Sequence, residues 1–335
     1  MEPIKITVVG GGTGTYTVLK GLKFLENVEL TAIVTSADSG GSTGILRDEF
    51  GVLPVGDFRQ CLVALAEENE SRENEGVLRQ LFEYRFARGG TGLEGHNFGN
   101  LFLTALTDIL GSEEEAFRKA SKILNVKGRV YPVTFEKIQL VAEYEDGSIL
   151  FGEKMIDEPP LVHDGTQKVK RLWVQPKAEV YVKAKEAILN SDAIVFGPGD
   201  LYTSLLANVV IDDFKGIIKQ SNAKLIFISN LMTKYGQTFG FKVSDYISEV
   251  EKYLDKEVDH IIINNGQIPE ELIENYKTEK ADPVVNDMSN DPRVVVTDLV
   301  SEILYEQKNS DAVKRSVLRH SSLKIANEIE KIILR

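Results

Sequence analysis

Cysteine is almost missing from these 335 residues, since Cys61 is the only one. No internal disulfide can form, and a reducing compartment is the natural expectation. Cys61 lies in the apolar helical run Phe58-Arg59-Gln60-Cys61-Leu62-Val63-Ala64-Leu65, which reads as a packed thiol rather than a nucleophile. Histidine is nearly as rare, at four residues. His163, His260 and His320 stand at no spacing that suggests metal ligation, so they receive no role here. Long apolar runs are missing too: none approaches the roughly 20 residues that span a bilayer. No signal-peptide pattern opens the chain, and a cytosolic, membrane-free protein is expected. Positive charge is in short supply. The 39 Lys and Arg residues face 51 Asp and Glu, a formal charge of -12, which argues against a nucleic-acid partner held by broad phosphate contacts. The polar stretches hold no Ser-His-Asp context and no cysteine beside a base. Any reaction here would rest on positioning, a metal ion and electrostatics, as phosphoryl or nucleotidyl chemistry does.

What the chain has is a glycine turn between a strand and a helix. The apolar run Ile4 to Val9 stops at Gly10-Gly11-Gly12-Thr13-Gly14 and passes into a helical pattern. Such a turn leaves backbone N–H groups facing outward at the positive end of the helix dipole, a ready anion site. Thr15 occupies the place of the third glycine in a dinucleotide fingerprint, and no Gly-Lys-Ser/Thr of a P-loop follows. A second strand, Leu30 to Val34, completes a βαβ unit and implies a parallel sheet. The stretch from Thr35 to Gly56 then reads as a long Gly-, Ser- and Asp-rich loop, with Asp57 as the N-cap of the next helix. From 128 to 176 the texture changes to short antiparallel strands, including 129–134, 138–144 and 149–151, with Asp146-Gly147 as a hairpin turn. The alternation of strand and helix then resumes, at 193–196, 224–229, 260–263 and 294–296. The expected fold is α/β: a Rossmann-like, doubly wound, mostly parallel sheet in a single domain over 1–335, with a β-rich insertion at 128–176. Residues 279–291 look loose.

Four loops rich in small and polar residues, 10–15, 36–44, 89–100 and 197–204, follow strands or lead into helices. In a doubly wound sheet such loops share the carboxyl edge and converge on an anionic ligand. The candidate phosphate or nucleotide contacts are Gly11, Gly12, Thr13, Gly14, Gly40, Gly41, Ser42, Arg59, His96, Asn97, Gly99, Asn100, Gly197, Gly199, Asp200, Tyr202, Thr203, Ser204, Asn230 and Thr233. Asp38 suits a divalent ion or a ribose hydroxyl, or caps its own loop; Asp57 is a metal ligand or a helix cap. Arg47 and Arg59 present planar forks for phosphate, although Arg47 has Asp48 and Glu49 beside it for an ion pair. Asn97, Asn100 and Asn230 suit a base or sugar, or brace turns. Tyr202 either stacks on a ligand or packs.

Six motifs together carry a family resemblance. They are Gly10-Gly11-Gly12-Thr13-Gly14, Asp38-Ser39-Gly40-Gly41-Ser42-Thr43-Gly44, Leu53-Pro54-Val55-Gly56-Asp57-Phe58-Arg59, Gly95-His96-Asn97-Phe98-Gly99-Asn100, Gly197-Pro198-Gly199-Asp200-Leu201-Tyr202-Thr203-Ser204 and Asn230-Leu231-Met232-Thr233. In that order they resemble the YvcK-like "gluconeogenesis factors" of the larger CofD-like family, over about residues 4 to 320. The resemblance implies a Rossmann-like domain that binds a nucleotide. In the transferase branch a 2-phospho-L-lactate is moved with Mg²⁺ from a GDP-linked donor to a deazaflavin. The YvcK-like branch, which the fifth motif resembles more, binds UDP-sugars such as UDP-N-acetylglucosamine and is linked to cell shape and growth on gluconeogenic carbon. Where the family pattern has paired aspartates after the second strand, this chain has Asp38 and Ser39, which fits binding better than magnesium chemistry. The expectation is a cytosolic UDP-sugar-binding regulator, with a protein partner and self-association in view. The alternative is the Mg-dependent transferase. An NAD-dependent dehydrogenase is disfavoured by Thr15 and by the lack of an acid directly at the end of the second strand.

Overall fold

The computed structural model describes residues 2–67, 73–302 and 317–334; the rest of the expected 1–335 domain lies outside the described residues. Among the described residues ten strands occur: β1 (Ile4–Gly10), β2 (Val28–Val34), β3 (Arg129–Pro132), β4 (Gln139–Tyr144), β5 (Ile149–Phe151), β6 (Val169–Gln175), β7 (Ala193–Phe196), β8 (Lys224–Ile228), β9 (His260–Asn264) and β10 (Val294–Thr297). Seven form one sheet in the order β10-β9-β8-β7-β1-β2-β3, and every pairing in it is parallel. Counted along the chain, β1, β2 and β3 run outward one way and β7 to β10 the other. That is the doubly wound order, with its reversal between β1 and β7.

Parallel strands joined by crossovers are covered on both faces, and so they read as unbroken apolar runs. Ile6 and Val8 of β1 turn to one side, where the helices Gly12–Leu22, Gly56–Leu65 and Ser322–Ile333 supply Val18, Leu22, Leu62 and Ile329. Val9 of β1, Phe196 of β7 and Phe227 of β8 turn to the other side. There they meet the small antiparallel sheet β5-β4-β6, through Leu140, Ala142, Leu172 and Val174. The small sheet thus shares a core with the large one.

Three expectations from the sequence are corrected. Arg129–Pro132 is an edge strand of the main sheet, paired parallel with β2 in the register Ala32 to Val130, so the antiparallel part begins only at β4. The stretch 35–56 contains the helix Gly41–Phe50; its Gly-Ser-Thr-Gly start has poor intrinsic helix propensity and hid it. Residues 279–291 are tied down. The Thr233 amide donates to the Asp282 carbonyl at 2.8 Å and Val284 N to Leu231 O at 3.0 Å, and Val243 N donates to Val285 O at 3.1 Å. Among the described residues, no helix is long and apolar enough to cross a membrane.

Candidate functional site

The reversal between β1 and β7 places two glycine turns side by side at the carboxyl edge. The turn after β1 enters the helix Gly12–Leu22, whose first residue has φ +60, a conformation that favours glycine. The turn after β7 enters a π-helical turn, Leu201–Leu205. They touch so closely that a Cβ on Gly14 would come within 1.5 Å of the Pro198 carbonyl oxygen. Two asparagines lock the pair. Asn208, wholly buried, donates to the carbonyls of Gly10 at 3.2 Å and Ser204 at 2.8 Å. Asn230 clamps one peptide: its Nδ2 donates to Gly199 O at 2.7 Å, and its Oδ1 accepts from Gly199 N at 3.3 Å.

These turns open onto a cleft of about 800 Å³. The helices Gly12–Leu22 and Gly41–Phe50 both begin on this wall with glycine at the N-cap, and no side chain caps either one. The Gly12 amide faces the Asp57 carboxylate, and the amides that follow it in each first turn have no N-cap side chain, with two positive dipole ends behind them. The cleft volume matches small-molecule and cofactor sites.

Of the residues singled out in the sequence, Gly11, Gly12, Thr13, Gly14, Asp38, Gly40, Gly41, Ser42, Asp57, Arg59, Asn100, Gly199, Asp200, Thr203, Ser204, Asn230 and Thr233 all line this one cleft. Five others stand behind its wall. His96 Nδ1 bonds the Ser42 hydroxyl at 3.1 Å and props that side chain from below. Asn97 is the N-cap of the helix Phe98–Leu110, accepting from Asn100 N and donating to Tyr84 O at 3.1 Å. Gly99 gives room to Arg59, whose Cδ would lie 2.6 Å from a Cβ there. Gly197 continues β7 beside Val18 and Thr15, and Tyr202 is fully buried in the core. Arg47 takes the ion pair, at 2.8 Å from Asp48. Asn100 accepts from Arg59 Nε at 2.9 Å and donates to Thr43 Oγ1 at 3.3 Å, so it holds the arginine fork in place. Asp57 sits in the first turn of its helix, with Val55 at the N-cap position.

Carboxylates dominate the floor. Asp38 caps its own loop by accepting from Gly40 N at 2.9 Å, and burial raises its pKa. Burial also pushes the Asp57 carboxyl up to about 7, with the charge of Asp38 adding to the effect. Glu153 is pushed well above its ordinary value by burial and then by Asp38 and Asp157. Lys234 pairs with two of these carboxylates, at 2.5 Å from Asp157 and 3.0 Å from Asp200, and Arg59 lines the same cleft. Burial works against the Asp157 carboxylate, but Lys234 outweighs it and holds this carboxyl below its usual range. Asp200, served second by the same ammonium, is pushed up to about 6 by burial. The carboxyls raised most by burial without a lysine partner are therefore Asp38, Asp57 and Glu153, each accepting from a backbone N–H, of Gly40, Gly12 and Ser39 respectively. A ligand that brings a divalent cation, or hydroxyls to donate, would favour their charged forms.

Glu153, Asp157, Lys234, Asn208 and His320 escaped sequence reasoning. None sits in a glycine-rich loop, and only the fold brings the inserted helix Glu153–Asp157 to the cleft. Ser39 joins the two: its hydroxyl accepts from Lys154 N at 2.9 Å, and its amide donates to Glu153 Oε2 at 3.2 Å.

Comparison with known proteins places this architecture. The family described as 2-phospho-L-lactate transferase CofD matches residues 6–302. A Thermotoga maritima protein is 41% identical over 98% of this chain and 99% of its own length. The Halalkalibacterium halodurans gluconeogenesis factor is 38% identical, covering 98% of this chain and 96% of its own; that of Bacillus subtilis is 35% identical over 96% of each. A crystal structure of a Bacillus halodurans protein superposes with TM-score 0.86 at 37% identity, over 99% of this chain and 100% of that one. With its doubly wound sheet and paired glycine turns, the chain belongs to the CofD family and is related over nearly its whole length to the gluconeogenesis factors within it.

Proposed function

We propose that this protein binds a nucleotide sugar of the UDP-N-acetylglucosamine type in the cleft at the carboxyl edge and acts as a regulator linked to gluconeogenic growth and cell shape. The observation that carries the reading is the contact between the β1 and β7 turns, which lays the uncapped amides of Gly12–Leu22 beside Gly199 and Ser204. A diphosphate is the group that bare amides at helix starts accept best. Carboxylates and Lys234 on the same wall suit sugar hydroxyls, which both donate and accept. The names of the relatives supply the link to gluconeogenesis. We place the protein in the cytoplasm, where nucleotide sugars and a protein partner that reads the bound state are at hand; self-association belongs to the same proposal.

A second reading is favoured by the family's transferase name and by the carboxylates Asp38 and Asp57: a Mg-dependent transfer of 2-phospho-L-lactate from a GDP-linked donor to a deazaflavin. Among the described residues, no three His, Cys, Asp or Glu side chains converge closely enough to hold a metal alone. Magnesium characteristically takes one or two carboxylates and completes its shell with phosphate oxygens and water, and Asp38 and Asp57 fit that share. Bound there, the ion would neutralise diphosphate charge. Ser39 offers no carboxylate and spends its hydroxyl on Lys154, which supports binding over transfer.

Thermal shift against UDP-N-acetylglucosamine, GDP with magnesium, and NAD separates the readings. A gain with the UDP-sugar alone supports the regulator, and a gain with GDP and magnesium alone supports the transferase. A gain with NAD alone defeats both.

A further inference from the structure

The cleft's lining is of two unlike kinds. One is made of the glycine turns and carboxylates. The other is made of Leu231, Met232, Leu272, Tyr276, Leu318 and His320. Leu231, Leu272 and Leu318 belong to a small apolar cluster of their own, with Met232 and Tyr276 packed against it. An apolar and aromatic wall suits a flat heteroaromatic ring, whereas the carboxylate lining does not.

We propose that this apolar lining receives the base of the nucleotide, and that the His320 imidazole selects bases with a ring N–H, uracil or guanine, against cytosine. The inference rests on the nucleotide-sugar reading above. His320 Nε2 lies 3.1 Å from the Ser229 carbonyl oxygen. A carbonyl only accepts, so the ring proton sits on Nε2 and Nδ1 carries a bare lone pair. Burial lowers the pKa of this ring to about 4, which keeps it neutral near pH 7. Among the described residues no hydrogen-bond partner is seen for Nδ1, and the residue as a whole is half-buried. His320 lines the cleft, and Nδ1 is the ring nitrogen it has left for a ligand. Uracil offers N3–H to such an acceptor and guanine offers N1–H. Cytosine presents a lone pair at N3, and two lone pairs repel. Ser229 ends the carboxyl side of β8, so the selecting ring is anchored to the sheet itself.

Calorimetric titration of the whole protein with UDP, CDP and N3-methyl-UDP tests this. UDP should bind at least about tenfold more tightly than CDP or the methylated analogue, the scale of one lost hydrogen bond. His320→Phe should bring UDP and CDP to equal affinity. His320→Gln, which supplies both a donor for Ser229 and an acceptor for the base, should restore most of the preference. Equal affinity of the wild type for UDP and N3-methyl-UDP overturns the inference without any variant, as does an unchanged UDP preference in folded His320→Phe, and in both cases the nucleotide reading stands. If the wild type binds none of UDP, GDP or UDP-N-acetylglucosamine, both fall together.

Discussion

Gly14 and Pro198 come from opposite halves of the chain, yet no space is left between them: a Cβ on Gly14 would lie 1.5 Å from the Pro198 carbonyl oxygen and 2.5 Å from its carbon. Backbone, not a mobile side-chain tip, blocks the substitution. Gly14→Ala must therefore push the two turns apart, at a cost of about 2–3 kcal/mol by the usual scale of overpacking. Gly216, inside the helix Phe214–Gln220 with nothing within 4 Å, is the control. Gly216→Ala should stabilise by about 0.5–1 kcal/mol. Urea unfolding of the two variants gives opposite signs; a neutral Gly14→Ala would contradict the tight contact.

The raised Asp57 carboxyl makes a prediction about pH. Its folded pKa of about 7 lies above the ordinary carboxylate value of 3.8. Between those values the folded state holds a proton that the unfolded state has lost, so this group's contribution to stability falls as pH rises through that window. Asp57→Asn removes the charge and its penalty. The ligand-free variant should gain melting temperature over wild type at pH 8 and gain less at pH 5. An equal gain at both values would mean that Asp57 is not the titrating group.

Lys234 answers the opposite problem. Lys234→Met leaves Asp157 and Asp200 facing each other without a cation, a loss of about 1–2 kcal/mol after discounting a full buried-pair penalty for the 34% exposure of the lysine side chain. Because Lys234 holds the Asp157 carboxyl low, its stabilisation is present near pH 7 and fades as pH falls toward the depressed value. Denaturation midpoints against pH should converge for wild type and variant in acid. A constant gap at all pH values would argue against the ion pair.

Ser39→Asp places a carboxylate near Asp38 and Glu153 and removes the hydroxyl that accepts from Lys154. With chelator present it should lose on the order of 1–2 kcal/mol. Magnesium should restore more of the melting temperature in the variant than it adds to wild type. A variant that melts like wild type and ignores magnesium would show that position 39 does not face the cation share of the cleft.

Much of this was legible because local chemistry and fold agree. An apolar run that ends in Gly10 and Gly11 fixes both a strand end and a helix start, and the same holds for Ala193–Phe196 with Gly197. The loops around Asp38 and Asn230 were readable as polar interruptions after strands. Other features carry no local mark. Arg129–Pro132 is four residues long and becomes parallel only through its register against β2. Asp157 and Lys234 meet across the insertion, 77 residues apart, so no spacing rule finds them. His320 has no motif around it; its role depends on a carbonyl at the end of β8. Asn97 and Tyr202 carried plausible ligand chemistry, yet one caps a helix and the other fills the core.

The central claim is that a diphosphate rests on the amides of the β1 and β7 turns together. Residue-resolved ¹⁵N–¹H chemical shifts during titration with UDP-N-acetylglucosamine test it most directly. The account predicts saturable shifts at the amides of Gly12, Thr13 and Gly14 and, in the same titration, at Gly199 and Ser204. Saturable shifts elsewhere that leave both turns unmoved would contradict it.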